Sequence, residues 1–428
     1  MDFNDSPQEA EFRAEVREWL SKNAEPRTEA TNMMAMFAEA EGGDPRGEAE
    51  NEMVRKAQEW QRKKADAGWG VITWPKKYGG RGGNIMQQVI WGQEESKFNT
   101  PANIFMIGIG MAGPTIMTHG TNEQKDRYLP PMLRGDEVWC QLFSEPGAGS
   151  DLAGLRTKAV KDGDEWVING QKVWTSGGHY SQWGILVTRS DPSVPKHKGL
   201  TYFIVDMSTP GIEVRPIKQI TGGANFNEVF FNDVRIPDSN RLGAVGQGWS
   251  VAITTLMNER MSIGGGGGML GGDMGMGQMF SLLDDVYIGD TPALQHGGVR
   301  QKLAEFSARF KALELTGQRT LSALSQGALP GPEGSIMKLA MGLLIQEMAA
   351  FIMELQGASC VLTDKSEAMM EGMWQQAYLG IPAIRIAGGT DEVQRNIIGE
   401  RVLGLPTDVR LDKGVPFSEV PTGPSKAA

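Results

Sequence analysis

The chain has 428 residues, of which 40% are hydrophobic and 22% are charged, and its formal net charge is −10. This composition is typical of a globular protein with two or three domains. The acidic balance argues against nucleic-acid binding, which requires a basic face to neutralise phosphates. Two cysteines suit neither a disulfide framework nor a zinc site. Without a visible signal, transit peptide or membrane span, we expect a cytoplasmic protein.

Helical patterns dominate the first third of the chain. Phe12, Val16, Trp19 and Leu20 have the i, i+4, i+7 and i+8 spacing of one buried helix face. Amphipathic patterns follow at about 51–67 and between about 86 and 134, on either side of a turn-rich cluster. We therefore predict an N-terminal α-helical domain over residues 1–138.

From Trp139 the pattern changes to short runs of β-forming residues separated by turn residues. Asn169-Gly170 is a strong hairpin signal, because a type I′ turn requires positive φ at both central positions. These runs predict a central antiparallel β-barrel over residues 139–241. The predicted strands are Trp166–Ile168, Lys172–Trp174, Ile185–Thr188, Thr201–Val205, Ile212–Ile217 and Glu228–Phe231.

Helical periodicity returns after Trp249 and predicts a C-terminal helical bundle over residues 242–405. The tail, residues 406–428, is rich in Pro, Gly, Ser and charge, and we expect it to be disordered. The five consecutive glycines Gly264–Gly268 each cost a helix about 0.8–1.0 kcal/mol relative to Ala. Their match to a dinucleotide fingerprint is rejected because it neither follows a strand nor opens a βαβ unit.

The loop from Ser144 to Asp151 is a candidate ligand site. Gly147 and Gly149 allow main-chain N–H groups to approach a ligand closely, while Ser144 and Ser150 add hydroxyl groups. Such a loop suits a polyanion or a polar ring edge. An ordinary surface loop has the same composition.

Other catalytic signatures are weak. The four histidines lack metal-ligand spacing, so we predict no metal site, and no GxSxG motif is present. Glu259, followed by Arg260, remains as a candidate acid or base. A surface salt bridge is the ordinary interpretation of such a pair.

The motifs as a set resemble the acyl-CoA dehydrogenase family over nearly the whole chain to about Pro406. They are GWGVITWPKKYGGRGG, SEPGAGSDL, INGQKVWTSGG, NEVFFNDVRIP, GQGW, NER and GGTDEVQRNIIGERVLG. The resemblance implies an α-helical domain, a β-barrel and a four-helix bundle with FAD between them. It implies oxidation of an acyl-CoA to the trans-2-enoyl-CoA, with removal of the α-proton by a carboxylate and passage of hydride from Cβ to flavin N5.

The resemblance also implies which carboxylate acts. The common position for the base precedes the Gly-Thr of the C-terminal motif, where this chain has Gly388. A subset of the family instead carries its base on the helix after the barrel, in a Glu-Arg pair that matches Glu259-Arg260. We therefore expect Glu259 to be the base, with Arg260 as its positioning partner. An apolar pocket is expected to raise the pKa of Glu259.

The other contacts carry over in the same way. The backbone N–H of Gly388 is expected to stabilise the thioester oxygen. Ser150 and Ser190 match positions that touch the thioester arm of CoA. Trp174 matches a residue that flanks the flavin ring, and Ser176 matches the residue beside flavin N5. The implied FAD contacts are Gln141, Phe143, Ser144, Ser150, Trp174, Thr175, Ser176, Thr390 and Glu392.

One family feature is missing. Between Gly277 and Leu303 the chain lacks the Arg-x-x-Phe-Gly motif that holds the pyrophosphate of the neighbouring subunit's FAD. We expect a homotetramer or homodimer, or a hetero-oligomer with a homologous subunit, and an electron-transferring flavoprotein as acceptor. The alternatives are a partner subunit with an incomplete FAD site and a flavin oxidase or monooxygenase. Gly264–Gly268 are either a loose helix start or room for a bulky acyl group.

Overall fold

The structure is a computed structural model that describes residues 5–27, 47–264, 279–280, 283, 286–326, 331–410 and 412–420, with residues 260–264 and 324–325 described as backbone only. The glycine run beyond Gly264, and with it the rejected dinucleotide match, lies outside these residues. The described chain forms an N-terminal helical domain, a central β domain and a C-terminal helical domain, which confirms the predicted architecture.

The N-terminal domain is built from helices whose first turns are capped by side chains. Ser6, Asn84 and Thr121 each accept a backbone N–H three residues later, in a reciprocal capping box with Glu or Gln. A π-helical turn, Gly108–Ala112, precedes α4, and β1 (Glu25–Pro26) pairs with β2 (Phe98–Asn99). The helices are α1 (Pro7–Asn23), α2 (Glu48–Asp66), α3 (Ile85–Glu95), α4 (Gly113–His119) and α5 (Asn122–Arg134).

A buried carboxylate on α3 joins this helix to α1. The side chain of Glu94 is 0% exposed, and it accepts hydrogen bonds from Arg13, Arg17 and Lys97 at 2.8–3.1 Å. Burial by itself would raise the pKa of Glu94, but hydrogen bonds from Arg17, Lys97 and Arg13 outweigh it and hold the pKa at about 2. Three cations thus compensate one buried anion beside the stacked rings of Trp69 and Trp91.

The central domain is a seven-stranded sheet in the order β3-β6-β4-β5-β9-β8, with β7 paired to β6. Its pairing is mixed, whereas the sequence predicts an antiparallel barrel: β3 runs parallel to β6, and a single parallel bridge joins β4 to β6. Parallel pairs arise here because the β4–β5 hairpin lies between β3 and β6 in the chain. The strands are β3 (Trp139–Leu142), β4 (Lys158–Asp162), β5 (Glu165–Ser176), β6 (Trp183–Arg189), β7 (Leu200–Asp206), β8 (Ile212–Ile217) and β9 (Phe226–Pro237).

The predicted hairpin at Asn169-Gly170 is wrong. β5 passes straight through these residues and pairs with β9 along its length, with a register shift between Ile168 and Gly170. Asn169 and Asp233 exchange two hydrogen bonds across the shift. The extra residue at this shift lies in β9, where Asn232 and Asp233 stand opposite Asn169. The dipeptide could not predict an irregularity in its partner strand. The hairpin turn lies earlier, at Gly163, where φ is +61°.

The C-terminal domain consists of helices around an apolar core. The helical stretch Gly334–Val361 is long and apolar enough to cross a membrane by length and composition, with a mean hydropathy of 1.6. Its buried face, which includes Leu344 and Ile352, packs in the core of this domain together with Trp374. The helices are α6 (Gly248–Gly264), α7 (Gly297–Ser325), α8 (Gly334–Gln356), α9 (Met373–Gly380) and α10 (Asp391–Ile397); β10 (Tyr287–Ile288) pairs with β11 (Thr291–Pro292).

The expectation of a disordered tail is wrong for residues 412–420, which pack on the β domain. Phe417 is 7% exposed because its ring lies 3.7 Å from the Arg189 guanidinium, a buried cation. The backbone N–H of Phe417 donates to the carbonyl of Val194, and Asp412 pairs with Lys196. Composition could not predict this because one buried aromatic ring anchors an otherwise polar segment.

The buried carboxylate generates a prediction about acid stability. Because the pKa of Glu94 is lowered from 4.5 to about 2, its stabilisation is complete above pH 4.5 and is lost as the pH falls towards 2. Glu94→Gln should lower the free energy of unfolding of the N-terminal domain at pH 7 by about 3 kcal/mol. It should also flatten the pH dependence below pH 4.5. Urea titrations followed by tryptophan fluorescence at several pH values measure both effects.

Glu18→Gln is the matched control, because Glu18 pairs with Lys22 on the solvent face of α1. It should leave the unfolding curve nearly unchanged at every pH. An equal loss of stability in both variants would contradict the role given to the buried cluster.

Candidate active site

The three domains meet at a cluster of buried hydroxyl groups. The Oγ1 of Thr255, on α6, lies 3.0 Å from that of Thr115 on α4 and 2.9 Å from the hydroxyl of Tyr202 on β7. All three side chains are fully buried, and burial raises the pKa of Tyr202. Buried hydroxyls are directional partners, so this cluster fixes α6 against both neighbouring domains.

Glu259 lies one helical turn after Thr255 on the same helix. The side-chain amide of Gln141, at β3, donates to Glu259 Oε2 at 3.4 Å across 118 residues of sequence. Both residues are half-buried. The structure therefore brings the candidate base to the end of β3, directly before the Ser144–Asp151 loop. The side chain of Arg260 lies outside the described residues.

The loop after β3 is held by a buried ion pair that the sequence interpretation missed. Lys172, on β5, is 0% exposed and donates to Glu145 Oε1 and to the carbonyl of Phe143, both at 2.9 Å. Glu145 also accepts the backbone N–H groups of Arg156 and Thr157. Burial alone would raise the pKa of Glu145, but the Lys172 ammonium and these donors hold it below its usual range. The burial of Lys172 could have been predicted from the alternation of side chains along the strand, because Trp166, Ile168 and Lys172 lie on the same face.

The second predicted cofactor segment, at the end of β5, has an unusual conformation. Trp174 has a φ of +60°, a region in which non-glycine residues are rare, and its side chain is 59% exposed. Thr175 is fully buried, and its Oγ1 has no hydrogen-bond partner among the described residues. Ser176 is exposed. A strained exposed indole beside an unsatisfied buried hydroxyl is the arrangement expected where a ligand completes the surface.

The two segments lie side by side. The backbone N–H of Val173 donates to the carbonyl of Ser144 at 2.9 Å, so the start of the loop and the end of β5 form one surface. Phe143 is 4% exposed and contacts the ring of Tyr202 edge-on at 5.8 Å. Of the predicted first-segment residues, Ser144 is half-buried and Ser150 is exposed.

The predicted substrate residues lie at the opposite end of the loop. Ser190 Oγ lies 2.7 Å from Thr201 Oγ1 and also contacts the carbonyl of Gly199. This hydroxyl therefore forms local hydrogen bonds across the connection between β6 and β7. Lys196, in the following loop, donates to Asp151, the neighbour of Ser150, at 2.8 Å. This ion pair brings the segments of Ser150 and Ser190 together, although the two hydroxyls have different surroundings.

The remaining predicted contacts lie on the C-terminal domain. Gly388 has a φ of +63°, and its carbonyl accepts a hydrogen bond from Gln394 at 3.1 Å. Lys338 donates to the carbonyl of Gly389 at 2.7 Å. The Thr390 hydroxyl caps α10, and Glu392 is exposed in its first turn. Glycine adopts this positive φ without strain.

No group of three or more His, Cys, Asp or Glu side chains in the described part of the chain could hold a metal ion. Cys140 and Cys360 are both free thiols. The described residues of the site supply a carboxylate, hydroxyl groups, backbone amides and an exposed indole.

Comparison with known proteins identifies the family. The N-terminal, middle and C-terminal domains of acyl-CoA dehydrogenase match residues 6–136, 140–234 and 246–403. The acyl-CoA dehydrogenase IpdE1 of Mycolicibacterium smegmatis is 37% identical over 411 residues, which cover 94% of this chain and 98% of that protein. FadE34 of Mycobacterium tuberculosis is 41% identical over 342 residues, and the match covers 80% of this chain but only 45% of FadE34.

Solved structures agree with the sequence matches. The Tcur3481-Tcur3483 steroid ACAD superposes with a TM-score of 0.75 at 29% identity, covering 95% of this chain and 100% of that chain. The ChsE4-ChsE5 complex from Mycobacterium tuberculosis gives a TM-score of 0.75 at 30% identity, with the same coverage. With three consecutive domain matches and relatives of full length, the chain belongs to the acyl-CoA dehydrogenase family.

Proposed function

We propose that this acyl-CoA dehydrogenase removes the α-proton of an acyl-CoA thioester with Glu259, in an FAD-dependent oxidation to the trans-2-enoyl-CoA. The observation that carries the proposal is the hydrogen bond from Gln141 to Glu259. It sets a carboxylate at the end of β3, beside the Ser144–Asp151 loop and the strained end of β5. A carboxylate in this position can accept a proton from a bound substrate.

Other residues would bind the thioester and stabilise the charge that develops on its oxygen. The α-proton of a thioester is only weakly acidic, so its removal requires donors at the thioester oxygen, where negative charge develops. The backbone N–H of Gly388 supplies one such donor in the proposal, and the positive φ of Gly388 suits this role. Arg260 would orient Glu259, while Ser150 and Ser190 would contact the thioester arm.

The residues present fit an FAD site. Thr175 Oγ1 is a buried polar atom without a partner among the described residues, and the exposed indole of Trp174 offers a flat apolar wall. A Cβ added at Gly147 or Gly149 would meet nothing within 4 Å, so the loop leaves open space for a ligand. Gln141, Phe143, Ser144, Ser150 and Ser176 would complete this end of the site, with Thr390 and Glu392 at the adenosine half. Bound FAD would supply the two-electron acceptor for the hydrogen that leaves Cβ.

The names of relatives support the substrate class and the assembly. One solved relative is a steroid ACAD, and both the Tcur3481-Tcur3483 and ChsE4-ChsE5 structures pair two different chains. We propose a bulky, ring-containing acyl group and assembly with a homologous subunit; a homotetramer or homodimer is the alternative. Electron-transferring flavoprotein is the proposed acceptor, and a cytoplasmic location remains a prediction.

Anaerobic titration with a panel of acyl-CoA thioesters, including a steroid acid thioester, tests this proposal directly. Loss of the flavin absorbance with an acyl-CoA supports dehydrogenation. Rapid reoxidation of the reduced flavin in air would favour an oxidase or monooxygenase. A protein that is colourless and inert alone, but active with a homologous subunit, would show that the site is shared.

Glu259→Gln tests the base. The substitution keeps the size of the side chain and removes the proton acceptor, so the rate of flavin reduction should fall about 10²–10⁴-fold while FAD remains bound. Stopped-flow absorbance under anaerobic conditions measures the rate. Glu123→Gln, an exposed carboxylate on α5, is the control and should reduce at the rate of the wild type. A normal rate in Glu259→Gln would overturn the assignment.

Thr175→Val tests the proposed cofactor contact. Valine has the same shape as threonine, and it removes a buried hydroxyl that lacks a partner, so the apo protein should be no less stable. The Kd for FAD should nevertheless rise by up to about tenfold, because one hydrogen bond to the ligand is lost. Equilibrium dialysis and thermal melts of the apo protein measure the two effects. An unchanged Kd would show that Thr175 Oγ1 does not contact the cofactor.

A further inference from the structure

A buried histidine outside the proposed chemistry connects two domains. His179 lies three residues after the end of β5, and its side chain is 0% exposed. Its Nε2 lies 2.7 Å from Glu50 Oε1, in the first turn of α2, and its Nδ1 lies 3.0 Å from Asn227 Oδ1 on β9. The ring also contacts Tyr180 edge-on at 4.9 Å. His179 therefore joins the N-terminal domain to the β domain through directional bonds.

The direction of each hydrogen bond follows from its partners. Asn227 donates through Nδ2 to the carbonyl of Thr175 at 2.9 Å, so its Oδ1 faces His179 and can only accept. His179 must then donate to it from Nδ1, while its Nε2 contacts the Glu50 carboxylate. The chain of hydrogen bonds runs from Glu50 through His179 and Asn227 to the Thr175 backbone.

This chain of hydrogen bonds ends beside a residue with a strained backbone. Thr175 lies between Trp174, with a φ of +60°, and Gly177, with a φ of +61°. A tryptophan keeps such a conformation only when its surroundings determine it. The Gly177 N–H donates to the carbonyl of Asn225, and Ser181 Oγ donates to the carbonyl of Gly177. These bonds fix the far side of the turn, while Asn227 fixes Thr175 itself.

We propose that Glu50 and His179 are positioning residues for the flavin segment Trp174–Ser176, acting through Asn227 on the Thr175 backbone. The inference rests on the FAD site of the proposed function. Hydrogen bonds between buried groups hold their partners in one geometry because any displacement leaves a polar group without a partner. The N-terminal domain thereby sets the orientation of Trp174 and of the buried Thr175 hydroxyl. By linkage, bound FAD in turn stabilises the Glu50–His179 pair.

Two variants and a matched control test this inference. Glu50→Gln keeps the size of the side chain and removes the carboxylate, and His179→Phe removes both ring nitrogens. The control is Glu94→Gln, which removes a buried carboxylate from the same domain; Glu94 accepts hydrogen bonds from Arg13, Arg17 and Lys97. Hydrogen exchange of the 173–178 backbone amides and the Kd for FAD are measured for each protein.

Both Glu50→Gln and His179→Phe should speed amide exchange over 173–178 and raise the Kd for FAD, each by about tenfold, as expected for loss of one buried hydrogen bond. Glu94→Gln should change neither the amide exchange nor the Kd, even if it lowers the free energy of unfolding as much as the other two variants do. If His179→Phe does not fold, Glu50→Gln decides the question alone.

Wild-type exchange and a wild-type Kd in Glu50→Gln would overturn the inference while leaving the FAD site intact. A wild-type protein that binds no FAD would instead refute the proposed function. In that case, exchange over 173–178 still reports whether Glu50 and His179 hold the segment.

Discussion

The position of α6 depends on one small cluster of buried hydroxyl groups. Thr255 contacts Thr115 of the N-terminal domain and Tyr202 of the β domain, so a single helix is fixed from two sides. Hydroxyl groups without water must find partners, and here each partner belongs to a different domain. Glu259 lies one turn further along, so the geometry of the candidate base follows from the junction of all three domains.

Buried polar pairs determine the rest of the site. The Lys172–Glu145 pair holds the start of the loop after β3, and the Glu50–His179 pair lies behind the end of β5. Such pairs add little net stability over apolar residues of the same size, but separation of the partners is costly. Their effect is therefore geometric, because they allow one arrangement of the two segments that face the proposed cofactor.

Strain and unsatisfied groups concentrate at the same place. Trp174 adopts a left-handed backbone conformation with an exposed ring, and Thr175 buries a hydroxyl without a partner among the described residues. Neither feature benefits the protein alone. Both are consistent with a surface completed by a planar, polar-edged ligand, which links the conformation of β5 to the FAD-dependent chemistry of the proposal.

The sequence by itself determined the order of helical and β domains, the loop that begins at Ser144, and the placement of Glu259 on the helix after the sheet. These follow from periodicity and local motifs, which are short-range properties. Only the tertiary structure decided that Asn169-Gly170 continues β5 opposite an irregularity in β9, that Lys172 is buried, that Phe417 anchors the tail and that Gln141 meets Glu259. Each of these depends on a partner distant in the chain, such as Asp233 for Asn169 or Arg189 for Phe417, and local sequence contains no information about that distance.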